Sequence, residues 1–163
     1  MITKNVDSRT AGIDRVVRLW DIPGPVLTGH ESAVYTVAFS SDGLLMATGS
    51  YDGTVRLWEV RDARRPRQLA LVTGHTAAVN AVAFSPDGRT LVTGSADHSV
   101  RLWDVTDARQ PRQLVALTSE TDVDSVESVA FSPDGRIVAA GTSDTSYGCG
   151  TSPTGRIRAS SRP

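Results

Sequence analysis

The chain has 163 residues, of which 17 are basic and 18 acidic, so its formal net charge at pH 7 is −1. This length is enough for one domain with a hydrophobic core, and this charge gives no reason to expect nucleic acid or an anionic membrane as a partner. The sequence contains no signal-peptide pattern and no apolar run of membrane-spanning length, and its single cysteine, Cys149, excludes an internal disulfide. We therefore expect a cytoplasmic protein.

Two short strings alternate along the chain in a fixed order. Arg-Leu-Trp occupies residues 18–20, 56–58 and 101–103, and Val-Ala-Phe-Ser occupies residues 37–40, 82–85 and 129–132. The repeat period is 45 residues, measured from Gly29-His30 to Gly74-His75. A repeat unit of this size cannot bury its own apolar face, so the units must stack on one another.

The second unit predicts four strands joined by turns. Ser85-Pro86-Asp87-Gly88 has turn chemistry, because proline presets φ and glycine accepts a positive φ. The strands are predicted at 79–84, 90–94, 99–105 and 112–117, and helical periodicity is absent. The pattern is typical of an all-β fold with four antiparallel strands per unit.

Gly-His, Val-Ala-Phe-Ser-Pro-Asp-Gly, Thr-Gly-Ser-x-Asp and Val-Arg-Leu-Trp-Asp together resemble the WD40 repeat over about residues 13 to 146. The resemblance implies β-propeller blades, each a four-stranded antiparallel sheet. It predicts a flexible N-terminus at 1–12, a partial blade at 13–28, complete blades at 29–72 and 73–118, and a partial blade at 119–146. The third unit departs from the pattern, with Asp122 in place of the histidine and Ala140 in place of the strand hydroxyl.

Two sets of four residues at the same offsets invite a hydrolase interpretation. They are His30, Thr48, Asp52 and Trp58, and His75, Thr93, Asp97 and Trp103. The resemblance implies instead a structural relay from aspartate through histidine and threonine to tryptophan. A threonine between strands offers no substrate access and no oxyanion hole, so we expect the relays to satisfy buried polar groups rather than to catalyse a reaction.

The resemblance also implies partner-binding positions, three and five residues after the histidine and just before the turn aspartate. The candidates with the most suitable side chains are Tyr35, Tyr51, Asn80 and Glu127. The remaining equivalent positions are Ala33, Ala78, Ala96, Ser125 and Ser143. The two tyrosines are the best anchors, and the alternative is that they only cover blade edges.

No residue pattern indicates a cofactor or a metal. Three histidines and one distant cysteine do not form a ligand set, and the glycines lie at predicted turns rather than in a phosphate-binding loop. The arginine clusters around Arg64 and Arg109 lie beside acidic residues and predict solvated loops rather than a nucleic-acid contact.

The segment Tyr147–Pro163 does not continue the repeat. Back-translating residues 146–163 with suitable synonymous codons and reading from the third base gives VRLWDVTDRPHPRQLAP, which parallels VRLWDVTDARQPRQLVA of the second unit. We hypothesise a single-base deletion near the codon for Ser146, and we expect a disordered tail at 147–163.

The sequence thus predicts at most three blades, whereas closed propellers have about four to eight. We expect an incomplete ring, a fragment of a longer WD40 protein, that gains stability from self-association, from further blades or from a partner. The expected function is a non-catalytic scaffold for a protein or peptide. The alternatives are a regulatory or sensor segment of a larger signalling kinase or NTPase, and a non-functional gene remnant.

Overall fold

A computed structural model describes residues 15–18, 25–118 and 125–143, and within these ranges it contains strands and turns but no helix. The expected all-β class is therefore confirmed. The twelve strands are β1 Val17–Arg18, β2 Val26–Leu27, β3 Val34–Phe39, β4 Leu45–Ser50, β5 Val55–Glu59, β6 Arg67–Val72, β7 Val79–Phe84, β8 Thr90–Ser95, β9 Ser99–Asp104, β10 Arg112–Thr118, β11 Val126–Phe131 and β12 Val138–Thr142.

The strands form two complete sheets and two half sheets. β3 to β6 and β7 to β10 are four-stranded antiparallel sheets in sequence order, which we call the first and second sheets. β1 pairs with β2 in the N-terminal half sheet, and β11 pairs with β12 in the C-terminal half sheet. The described sheets do not close into a ring. The predicted flexible N-terminus, Trp20, Asp122 and the predicted frameshifted tail lie outside the described residues.

The same tight turn joins the first two strands of every unit. In the first unit the Asp42 carboxylate accepts hydrogen bonds from the Ser40 hydroxyl at 2.6 Å and the Leu44 N–H at 2.9 Å. Gly43 follows with a φ of +69°, in the left-handed region that glycine adopts without strain. Asp87 and Asp134 accept the equivalent bonds in the other two turns. The recurring Asp-Gly pair thus fixes the strand pairing locally.

Neighbouring sheets stack face to face through their first two strands. β7 lies against β3 and β4, and β11 lies against β7 and β8. The largest apolar cluster joins Leu57 and Val72 of the first sheet to Leu91, Trp103 and Val105 of the second unit. The core is therefore divided between the sheets, as the stacking argument predicts.

Candidate functional site

The first relay is a continuous chain of hydrogen bonds that runs from the turn after β4, through the loop before β3, to strands β4 and β5. His30 Nδ1 lies 3.0 Å from Asp52 Oδ2, and His30 Nε2 lies 2.8 Å from Thr48 Oγ1. Trp58 Nε1 donates to the same threonine oxygen at 3.0 Å. The structure therefore brings together all four residues that the sequence pattern groups.

The second relay repeats this geometry closely. His75 Nδ1 lies 2.9 Å from Asp97 Oδ2, His75 Nε2 lies 2.7 Å from Thr93 Oγ1, and Trp103 Nε1 donates to Thr93 Oγ1 at 3.0 Å. The side chain of Thr93 is fully buried. Two units with different neighbours thus build the same arrangement.

The chemistry of the end groups fixes the direction of each relay. A tryptophan N–H can only donate and an ionised carboxylate can only accept. A neutral histidine in the second relay therefore donates from Nδ1 to Asp97, accepts at Nε2 from the Thr93 hydroxyl, and leaves the Thr93 oxygen to accept from Trp103. The His75 ring nitrogens, the Thr93 hydroxyl and the Trp103 N–H of this relay then all have partners.

The pKa values of the relay groups favour this state. Burial lowers the pKa of His75 below the ordinary value of 6.5, although the hydrogen bond to Asp97 acts in the opposite direction. Burial alone would raise the pKa of Asp97, but hydrogen bonds from the Ser99 hydroxyl, the Thr76 N–H and His75 outweigh it and hold this pKa at about 2. The first relay shows the same directions for His30 and Asp52. Neutral histidine beside ionised aspartate is the favoured pairing at neutral pH.

One member of each relay was missed by the sequence reasoning. The hydroxyl of Thr54 donates to Asp52 Oδ1 at 2.6 Å, and that of Ser99 donates to Asp97 Oδ1 at 2.5 Å. Both hydroxyls stand two residues after the aspartate, so the shared offset and chemistry are a signal that could have identified them. They hold the carboxylate in place and help to keep it ionised.

In the third unit only part of the equivalent set is described. Ala140 carries no hydroxyl to accept from a tryptophan or to donate to a histidine. The C-terminal half sheet therefore lacks the threonine that joins the two halves of the other relays.

Side chains of a different kind gather at the sheet ends where β3, β7 and β11 begin. Tyr35 is 48% exposed and Tyr51 is 59% exposed. Their ring centroids lie 5.8 Å apart with an interplanar angle of 71°, an edge-on contact. The two tyrosines therefore form one exposed aromatic pair.

A β-bulge recurs in the first strand of every unit. The strand register skips one residue between Val34 and Thr36, and the same skip occurs at the equivalent positions of β7 and β11. The unpaired extra residues are Tyr35, Asn80 and Glu127. A bulge bends its strand and redirects the side chain it carries. We call this end of the sheets the bulged edge.

The bulged residues differ in their surroundings. The Asn80 amide donates to Ser125 Oγ at 2.7 Å, to the Val126 carbonyl at 3.2 Å and to Glu127 Oε1 at 3.4 Å, so it joins the second sheet to the C-terminal half sheet. Glu127 is exposed. The bulged edge thus offers an aromatic pair on the first sheet and a carboxylate on the C-terminal half sheet, with Asn80 engaged in packing between sheets.

The remaining positions predicted for partner binding lie at the same edge. Tyr51 donates its N–H to the Ala33 carbonyl at 2.9 Å, Ala96 donates to Ala78 at 2.9 Å, and Ser143 donates to Ser125 at 3.0 Å. Ala78 is buried, while the other four of these small residues are partly buried. Small side chains there leave the tyrosines as the largest features of the edge.

The described part of the chain contains neither a cluster of metal ligands nor a membrane-spanning helix. No group of three histidine, cysteine, aspartate or glutamate side chains is placed there to hold a metal ion. No helix long and apolar enough to cross a membrane occurs there either.

Three stretches of the chain match the family model described as WD domain, G-beta repeat. They are residues 23–59, 66–104 and 114–146, which together cover more than half of the chain. Each match runs from the outer strand or turn of one sheet into the next sheet, as a staggered repeat does.

Characterised proteins share the same pattern over short stretches. Apoptotic protease-activating factor 1 of Rattus norvegicus is 42% identical over 55 residues, which cover 31% of this chain and 4% of that protein. Target of rapamycin complex subunit LST8 of Saccharomyces cerevisiae is 44% identical over 64 residues, covering 36% of this chain and 21% of that protein. The guanine nucleotide-binding protein subunit beta of Schizosaccharomyces pombe is 43% identical over 49 residues, covering 28% of this chain and 16% of that protein. The matched region thus spans about a fifth or less of each of these relatives.

Proposed function

The chain belongs to the WD40-repeat family, and from this membership we propose that it is a non-catalytic scaffold that binds a protein or peptide at the bulged edge. The observation that carries the proposal is the exposed pair Tyr35 and Tyr51, held on a bulge and a turn of a rigid sheet. Tyrosine gives a large contact area and a polar tip at a low cost in conformational entropy.

The names of two similar proteins support an interaction role in general terms. One relative is a subunit of a complex and another is a subunit of a guanine nucleotide-binding protein, so both are named as parts of assemblies.

The burial and hydrogen bonding of the relay threonines support the proposal that the chain is not a catalyst. Thr48 and Thr93, whose hydroxyl groups are paired with the relay histidines through Nε2, are both fully buried. Each of these oxygens already accepts a tryptophan N–H, so an attacking nucleophile would have to break a buried hydrogen bond and would have no approach for a substrate.

Binding is tested with a peptide selected on the full chain from a random peptide display library. We expect Tyr35→Ala and Tyr51→Ala each to weaken the affinity of the selected peptide by about tenfold or more, because truncating a central aromatic anchor costs more than 1 kcal/mol. The measurement is a calorimetric titration of each variant.

Phe39 supplies the matched control for this test. It is 54% exposed at the opposite end of the same strand, β3. The Phe39→Ala variant should bind the peptide as the unchanged chain does. Two results would contradict the bulged edge as the binding site. One is an unchanged peptide affinity in both tyrosine variants, and the other is an equal loss of affinity in Phe39→Ala.

A further inference from the structure

We propose that two chains associate head to tail, with the N-terminal half sheet of one chain completing the C-terminal half sheet of the other, so that two chains form a ring of six sheets. This interface lies at the two ends of the sheet stack and is separate from the binding site proposed at the bulged edge.

The first observation is an apolar groove between the second sheet and the C-terminal half sheet. Its cavity volume is about 680 Å³, and its walls include Leu102 and Leu114 on one side and Phe131 and Val138 on the other. The groove lies beside the outer strands β9 and β10, where the C-terminal half sheet has only β11 and β12 among the described residues.

Equivalent positions of the first sheet show what such a groove normally contains. Leu57 is fully buried and Leu69 partly buried, because the neighbouring sheet covers them with Trp103 and other side chains of its outer half. The equivalent of Leu69 in the second sheet, Leu114, is 54% exposed. The groove is therefore the space that the third and fourth strands of one more sheet would fill.

The second observation is that β12, the outer strand of the C-terminal half sheet, has no third strand beside it among the described residues and leaves one sheet face uncovered. Ala139 of β12 is exposed. Its equivalents Ala47 and Val92 are fully buried, because a third strand pairs with their strand and a neighbouring sheet packs against them. An exposed strand edge presents unpaired backbone groups that favour pairing with another strand.

The chain itself contains two strands of the kind that this edge lacks in the described part of the chain. Val17-Arg18 of β1 begins the same Val-Arg-Leu-Trp string that begins at Val55 and Val100 in the third strands of the complete sheets. β2 then pairs with β1 as a fourth strand does. The segment that follows β12 in the sequence, Tyr147–Pro163, has no such string.

The complete sheets also predict the register of the composite sheet. Val55 lies opposite Gly49 and Val100 lies opposite Gly94. By the same register, Val17 of the second chain lies opposite Gly141, and Arg18 of the second chain lies opposite Ala140.

In the proposed assembly the completing strands come from another chain. The N-terminal half sheet packs on the first sheet through a cluster of Val17 and Leu27 with Val34, Met46 and Trp58. Closure among the described sheets of one chain would give a ring of three sheets, fewer than the four to eight of known propellers. Two complete sheets and two halves in each of two chains give six, and the two identical junctions close under twofold symmetry.

The mass of the full chain in solution tests the proposal, by light scattering at micromolar concentration. We expect the mass of two chains, and the mass of one chain for Ala139→Arg and for Leu114→Arg, because each arginine places a charge in the buried junction. Ser41→Arg, at an exposed turn, is the control and should keep the mass of two chains. Circular dichroism and thermal unfolding of the variants show whether the chain is still folded.

A mixing experiment tests the register directly, in a Cys149→Ser background. One chain carries Arg18→Cys and another carries Ala140→Cys. Directly opposed residues of paired strands place their Cβ atoms at about 4.5–5.5 Å, close enough for a disulfide after small adjustment. We expect a cross-linked pair only when the two chains are mixed.

Several results would overturn the proposal. They are the mass of a single chain for the unchanged protein, open assemblies larger than two chains, pairs that survive both arginine substitutions, and equal cross-linking of either cysteine variant alone. A single-chain mass would indicate that the groove is covered by further residues of the same chain.

Discussion

Each relay places a buried threonine oxygen between two ring nitrogens, one that donates to it and one that accepts from it. The Thr93 hydroxyl therefore accepts a hydrogen bond from Trp103 Nε1 at 3.0 Å and donates one to His75 Nε2 at 2.7 Å. Leaving a buried polar group without a partner costs more than a made hydrogen bond contributes. The stability of the sheet should thus depend on this one hydroxyl.

Replacing Thr93 by valine tests that dependence while keeping the side-chain shape. We expect Thr93→Val to lower the free energy of unfolding by about 3 kcal/mol, because the Trp103 N–H loses its acceptor and His75 loses its donor. Denaturant unfolding measures the change. Thr118→Val, on an exposed position of β10, is the control and should change stability by less than about 0.5 kcal/mol. Equal effects in the two variants would contradict the relay's structural role.

The relays also predict how stability depends on pH. His30 and His75 have pKa values lowered below 6.5, so the folded chain binds their protons less readily than the unfolded chain does. Their contribution is complete above pH 6.5 and is lost as the pH falls from there toward the lower folded pKa. The pKa values of the Asp52 and Asp97 carboxyls are about 2 in the folded chain instead of 3.8. These carboxyls therefore add a further loss of stability as the pH falls below 3.8.

We therefore expect the free energy of unfolding to fall as the pH drops below 6.5 toward the lowered pKa values of the folded histidines. The measurement is denaturant unfolding across this range. A His75→Gln variant removes one of the two titrating groups, so its stability should be lower at neutral pH but should depend less steeply on pH. A profile that is flat, or that rises toward acid, would contradict neutral histidines in the relays.

At the scale of the elements, glycine in the second strand allows neighbouring sheets to approach. A Cβ on Gly94 would lie 2.5 Å from Val126 Cγ1 of the C-terminal half sheet, and one on Gly49 would lie 2.7 Å from Val79 Cγ1 of the second sheet. Both distances are too short for real contacts, so only glycine fits while the sheets keep their spacing.

The expected cost of Gly94→Ala is about 2 kcal/mol, since the added methyl group overpacks a tight contact between sheets. Thermal or denaturant unfolding measures it. The matched experiment is a double-mutant cycle with Val126→Ala, which removes Cγ1, the nearest of the atoms that the new Cβ would meet. The double variant should be more stable than the sum of the single changes predicts, and strict additivity would show that the contact is not the cause.

The strands were largely predictable, because they carry β-branched residues and because Asp-Gly turns join the first two strands of the three units. The shared offsets along the sequence also group the four members of each relay. The β-bulges were not predictable. Tyr35 and Asn80 are extra residues only with respect to the register of β3 on β4 and of β7 on β8, and no local sequence pattern encodes that register. His98 has a φ of +66° at the position where the first unit has Gly53, so its turn was recognisable but its backbone conformation was not.

The partner of Asn80 depends on stacking rather than on local sequence. Its amide was predicted to face a binding partner, and the structure engages it with the C-terminal half sheet at Ser125. The contact joins residues in different units, so it follows from how closely the sheets approach. Tyr35 and Tyr51 stay exposed because nothing in the described part of the chain covers them.

At the scale of the whole molecule, burial rises toward the middle of each sheet and toward the middle of the stack. Five of the six residues in β4 and in β8 are buried, whereas six of the seven in β10 are exposed. Each complete sheet has neighbours against its first two strands, and the outer strand β10 faces the open groove. The sheets therefore depend on one another for a dry interior.

Native-state hydrogen exchange on the full chain tests this mutual burial most directly. The amides of β8 lie between two other strands and between two sheets, so they should open only with the unfolding of the stack and exchange most slowly. The amides of β10 that do not bond to β9 should exchange fastest among the strands of the complete sheets. Exchange of β8 as rapid as that of β10 would contradict a fold held together by stacked sheets.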